Sequence, residues 1–224
     1  MPFKVKCTLV GFMGDEERFP CHFNYKIGDE FTFDGEKFTG RICPGLFSTM
    51  TPTISALHRS GNAHPSHITF RYSGLSARDE SMRKYDGVGW RVLKEPPADA
   101  LPQHLQALST EPSTELEGGW GFVCGDSRTS AFFFAEAYDL ADVGDSIPYY
   151  RREMAILDKI KAKPGITAKE VLAGFTDWER DEIYPPLTIL NTQLFMDELA
   201  SVGYIEYRDG KAYPRSRSPE KSQK

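Results

Sequence analysis

The sequence predicts an α+β fold: a mostly β N-terminal domain with one helix, followed by a winged helix-turn-helix-like domain. Apolar and polar residues alternate along Lys4-Val-Lys-Cys-Thr-Leu-Val10 and again through Phe31 and Phe33, the period of a half-buried strand. From Tyr149 the period becomes helical, with Met154, Ile156, Leu157 and Ile160 on one stripe. Near the end, Tyr204 to Tyr213 reads as two short strands about Asp209-Gly210, a dipeptide suited to a two-residue hairpin turn.

Taken in order, the first strand places Val5, Cys7 and Leu9 on one face, which makes Cys7 a core residue. The strand through Phe31 and Phe33 is closed by Asp34-Gly35 as a hairpin turn. Cys43 stands directly before Pro44 at the entrance to a helix expected over about 46–59, ending at Ser60-Gly61-Asn62, with Pro52 making its first turn irregular. Strands are expected at 67–72 and 89–93. A proline- and acid-rich exposed loop with one short helical turn near 101–108 separates them from the next pair of strands. That pair flanks Cys124-Gly-Asp126-Ser-Arg128. Beyond Pro148, helices are expected at 149–162, at 168–175 and at 185–202. The second is announced by the capping-box spacing of Thr167 and Glu170, the third begins at Pro185-Pro186. These elements give one domain over 1–140, a winged-helix-like domain over 149–213 and a disordered polar tail over 214–224.

Composition bounds the classes of function. The chain has 224 residues, 40% hydrophobic and 26% charged, enough for a true core. No apolar run approaches the length of a membrane span, so a cytoplasmic protein without membrane partners is expected. Four cysteines are too few for a disulfide framework and are expected as thiols or metal thiolates. The net charge of -5 comes from an acidic excess in the first 150 residues, which argues against a nucleic-acid groove there.

Two places carry reactive chemistry. The turn at Cys124 offers the Cys124 thiol, the Asp126 carboxylate and the Arg128 guanidinium within five residues, more than a structural hairpin requires. Cys43 sits where a helix begins, and the unpaired N–H groups of a helix entrance favour an anion such as a thiolate. His58, His64 and His67 form a histidine cluster whose spacing matches no ligand motif.

Phe19-Pro-Cys21 with Gly28-Asp-x-Phe31, Cys43 entering a helix, and Cys124-Gly-Asp126-x-Arg128 before Phe132 together resemble a family of short, largely uncharacterised bacterial and archaeal proteins. Members of that family carry Pro-Cys-Pro-x-Phe-x-x-Gly-x-x-Phe, Phe-Cys-x-x-Ala-Trp and Cys-Asn-Asp-Gly-x-Arg-Pro-Val. The resemblance covers roughly 4–62 and 119–136. It implies that Cys21, Cys43, Cys124 and Asp126 share one site and that about 63–118 is an insertion. Here His22 stands where the family has a second proline, and Arg128 follows Asp126 by two residues instead of three.

Two readings follow. The first is a small-molecule-binding protein, with a thiol- or metal-dependent enzyme as its active form. Cys21, His22, Cys43 and Cys124 are the right kinds of donor for zinc or iron. Without metal, Cys43, or Cys124 beside Arg128, would be the nucleophile, with Asp126 or His22 as proton partner. The second reading is a winged-helix regulator responding to a metabolite, a metal or a redox change. Its recognition helix would present Thr188, Asn191, Thr192 and Gln193 outward and pack Leu190, Leu194 and Leu199 inward. Residues 185–202 contain no Lys or Arg, so DNA binding is disfavoured, and an alternative role for this unit is homo-oligomerisation.

Overall fold

A computed structural model describes residues 2–14, 16–62, 120–126 and 128–215. The expected strands at 67–72 and 89–93, the loop and insertion over 63–118, His64, His67 and the tail beyond 215 lie outside the described residues.

Among the described residues the chain is an α+β fold built on one antiparallel sheet and several helices. The strands are β1 (Phe3–Phe12), β2 (Glu30–Phe33), β3 (Phe38–Gly40), β4 (Trp120–Val123) and β5 (Ala131–Leu140), in the order β3-β2-β1-β5-β4. β1 alternates as its sequence predicts, with Phe3, Val5, Cys7 and Leu9 buried. Between β2 and β3 the turn takes in residues 34–37 rather than Asp34-Gly35 alone. The Asp34 carboxylate accepts from the backbone N–H groups of Glu36 and Lys37, an Asx-type closure that lengthens the loop.

Helix α1 (Pro44–Ser60) lies on one face of this sheet and buries Leu46, Met50, Ile54 and Leu57, one stripe at helical spacing. It begins two residues earlier than expected because Pro44 itself is the first helical residue, where a missing N–H costs nothing. Pro52 therefore falls in the helix interior and not in its first turn. After Gly61, the side chain of Asn62 pairs with β5 as a strand would. Its Nδ2 donates to the Ala137 carbonyl at 2.8 Å and its Oδ1 accepts from the Ala137 N–H at 2.7 Å.

A short 3-10 turn (Gly144–Ser146) leads into α2 (Ile147–Ala162), followed by α3 (Ala168–Ala173), α4 (Asp177–Asp181), α5 (Ile189–Ser201) and the hairpin β6 (Ile205–Arg208) to β7 (Lys211–Pro214). Thr167 and Glu170 form the expected capping box on α3. Thr176 and Glu179 form a second one, on the short helix α4 that the sequence reading passed over. The hairpin closes on Asp209 and Gly210, both at positive φ, as a two-residue turn of this kind requires.

The third helix of the expectation does not begin at Pro185-Pro186. Residues 183–187 form a bent segment held by Arg152, whose guanidinium donates to the carbonyls of Ile183 and Pro185, and α5 starts only after Thr188 caps it. The buried side also differs from the expected one. Thr192, Phe195, Met196 and Leu199 are buried, whereas Leu190 and Leu194, expected in the core, are exposed.

Two buried apolar clusters result. One joins α1 to the middle of the sheet. The other joins α2, α3, α5 and the hairpin to Phe3, Ala137 and Leu140 at one end of β1 and β5. No helix of the described residues is long and apolar enough to cross a membrane.

The Asn62 bridge gives a direct check. Asn62→Ala removes two hydrogen bonds to a strand backbone and leaves the Ala137 groups without those partners, a loss of about 2 kcal/mol. Urea unfolding of the variant beside the native chain measures it.

Candidate functional site

The site begins with the backbone that enters α1. Cys43 occupies the N-cap position in extended conformation, with Pro44 as the first helical residue, and no side chain caps the helix there. Its own N–H donates to the Tyr25 hydroxyl at 3.0 Å, and that hydroxyl donates to the Arg41 carbonyl at 2.9 Å. Tyr25 is in turn fixed by the core, its ring edge-on to Phe133 at 5.3 Å. Arg41 closes the other side, its guanidinium 4.7 Å over the Phe23 ring and donating to the Phe23 carbonyl. The segment from Cys21 to Tyr25 is thereby clamped against the entrance of α1.

That clamp places His22 beside Cys43. The Cys43 sulfur lies 3.5 Å from His22 Nε2, within the reach of a sulfur hydrogen bond. The thiol is only 1% exposed, while the imidazole faces solvent. Cys21 and Cys124 are half-buried and pack against the same apolar cluster that holds Cys43. Their fields reach one another: both Cys43 and Cys21 act on Cys124. A Cβ on Gly125 would come within 3.3 Å of the Gly45 carbonyl, so the Cys124 loop lies directly over the first turn of α1. Cys7 is fully buried on β1 within the same cluster, and desolvation holds its thiol far above the usual range.

Cys124 differs from its expectation. Burial pushes its thiol up to about 11, opposed by a hydrogen bond from the Asp126 backbone and reinforced by the fields of Cys43, Asp126 and Cys21. Arg128 does not activate it, because the guanidinium pairs with Asp126 through two contacts, Nε to Oδ1 at 3.1 Å and a terminal nitrogen to Oδ2 at 3.0 Å. Asp126 is 5% exposed and also accepts from the Arg128 backbone N–H. The pair holds a turn that is fastened to the β1–β2 loop. Thr129 donates to the Phe19 carbonyl, and Met13 and Gly14 donate from their backbones to Ser130 and Thr129. Gly14 is required by this approach, since a Cβ there would lie 2.0 Å from the Arg128 carbonyl oxygen. Asp126 and Arg128 are thus engaged in building the turn.

The metal expectation finds no support in the geometry. Among the described residues no group of three or more His, Cys, Asp or Glu could hold a metal ion. Cys43 and His22 are spaced as two ligands of one tetrahedral ion could be, but such a site takes at least a third protein donor. Neither Cys21 nor Cys124 completes it with them. His58, from the histidine cluster, is structural: its Nδ1 donates to the Phe3 carbonyl at 2.7 Å and its ring meets Phe33 edge-on.

Sequence reasoning passed over Tyr25 and Arg41, the residues that set the position of Cys43. Nothing in a lone tyrosine announces a hydroxyl bridging two backbone groups, 16 and 18 residues away. No protein-family model, no curated protein and no solved structure matches this chain.

Tyr25→Phe keeps the ring on Phe133 and deletes only the bridge. Its expected cost is about 2 kcal/mol, since the buried Cys43 N–H loses its acceptor. Equilibrium unfolding in urea reads that cost.

Proposed function

We propose that the chain is a small-molecule-binding, thiol-dependent protein in which Cys43 is the nucleophile and His22 its proton acceptor. The observation that carries this reading is the 3.5 Å contact between Cys43 Sγ and His22 Nε2 at the entrance of α1. A thiol gains nucleophilicity from an adjacent base and from a place at a helix entrance; His22 supplies the base, and Cys43 holds the N-cap position of α1. In the step envisaged, the sulfur's electron pair forms a bond to an electrophilic centre, which passes its own bonding pair to a leaving group or carbonyl oxygen. The S–H proton moves to His22 Nε2, and the exposed ring can return it to that departing or newly anionic group. Because the sulfur is almost wholly covered, the substrate must be small enough to reach it past His22, Cys21 and Cys124. Cys21 and Cys124 then shape the entrance rather than perform the chemistry.

The regulator reading is less well supported. The arrangement of α2, α3 and α5 with the β6–β7 hairpin suits a winged-helix-like unit, in which α5 would be the reading helix. The outward side of α5 is apolar and acidic: Leu190 and Leu194 are exposed, and Asp197 accepts from Gln193 and from Tyr207 of the hairpin. Gln193, one of the side chains expected for base edges, is therefore engaged, and Thr192 is buried. Phosphate binding requires several cations on that side, and 185–202 contains no Lys or Arg.

Two measurements follow. Limiting iodoacetamide on the folded chain, with peptide mapping, is expected to modify Cys43 and spare Cys7, and His22→Ala is expected to slow Cys43 modification by about tenfold or more. An unreactive Cys43 in the native chain, or an unchanged rate in the variant, would remove the proposal. Fluorescence anisotropy with random duplex DNA is expected to show no appreciable binding at physiological salt, and tight, salt-dependent binding would favour a regulator.

A further inference from the structure

Two glutamates in the helical unit have no place in the thiol chemistry. Glu153 on α2 is 0% exposed and Glu198 on α5 is 7% exposed, on helices packed against each other in the second apolar cluster. Taken as carboxylates they are poorly matched to their surroundings. As unprotonated carboxylates, both oxygens of Glu153 and Oε2 of Glu198 are buried with no donor group to pair with, and neither residue forms an ion pair among the described residues. Two facing carboxylates offer only acceptors, so they can bond to each other only when one carries a proton. Burying both as anions without cations would cost several kcal/mol per ion.

We infer that Glu153 and Glu198 share a proton across the α2–α5 contact and make the packing of these helices proton-linked. Glu153 is the protonated member, donating to the Glu198 carboxylate. Burial and that hydrogen bond raise Glu153, and burial raises Glu198 while the bond from Glu153 opposes the rise. The other charges acting on the pair are few. Asp197 on α5 disfavours ionisation of Glu198. Arg152, next to Glu153 on α2, is directed to the carbonyls of Ile183 and Pro185 instead. Among the described residues no charged group of the neighbouring α3 or β7 acts on either carboxyl.

The direction of the effect follows from linkage. An acid whose folded-state pKa lies above its unfolded value binds its proton more tightly when folded, so its contribution to stability is full below the unfolded value and falls as pH rises. For this pair the fall begins near the ordinary glutamate value of 4.5 and continues upward through neutrality. Alkaline conditions that remove the shared proton place two anions in one apolar contact and drive α5 from α2.

The test uses the full chain with its glutamate carboxyl carbons labelled with carbon-13. At neutral pH the Glu153 carbon is expected at the position of a protonated carboxyl group, and its titration is expected above the ordinary glutamate range. The thermal midpoint of the helical unit is expected to fall by several degrees from pH 5 to pH 8. Glu153→Gln keeps a donor toward Glu198 and is expected to flatten that fall. Titration of both carbons in the ordinary range, or an undiminished slope in the variant, would overturn the inference. If the variant does not fold, the labelled native chain decides alone.

Discussion

The pairing of β1 with β5 is the interaction on which both halves of the structure depend. It runs from Phe3–Leu140 to Phe12–Ala131 and lies in the middle of the five-stranded sheet. Alternation along the two strands sends Val5, Cys7, Leu9, Phe133 and Ala135 into the cluster under α1. Phe3, Ala137 and Leu140, at the other end of the same ladder, enter the cluster of the helical unit. The register shift between Lys4 and Val5 lies where one cluster gives way to the other, and Asn62 supplies the strand-like partner for Ala137 there. Tyr204 adds a polar tie, donating to Asp139 at 2.9 Å.

The thiol site inherits its geometry from this ladder through a short series of contacts. Phe133 of β5 holds the Tyr25 ring, the Tyr25 hydroxyl holds the Cys43 N–H, and Arg41 pins the backbone at Phe23 beside His22. A sulfur at a helix entrance, with a solvent-facing imidazole over it, is the outcome. The Asp126–Arg128 pair serves the same site differently, by fixing the turn that carries Cys124 over α1.

Local rules were legible in the sequence wherever one element decided its own structure. The alternation of β1, the Pro44 entrance of α1, the capping box of α3 and the Asp209-Gly210 hairpin all follow from neighbouring residues. Most failures occurred where a competing partner or a packed neighbour decided. Arg152 holds the segment ahead of α5, and the packing of α5 on α2 and α3 buries Thr192 and leaves Leu190 and Leu194 exposed. Arg128 next to Cys124 suggested an activated thiol, yet the closer carboxylate of Asp126 takes the guanidinium. Glu153 and Glu198 look like solvent-facing helix charges until the helices are packed together. The second capping box, at Thr176 and Glu179, was readable by the rule already applied to Thr167.

Contact between Cys43 and His22 is the central claim, and nuclear magnetic resonance of the histidine rings tests it most directly. Spectra of the native chain and of Cys43→Ala are compared at one pH, with the backbone spectrum as the control for an unchanged fold. The account predicts that the His22 ring resonances move on loss of the sulfur while those of His58, held by the Phe3 carbonyl, stay in place. Identical His22 resonances in the two proteins would contradict it.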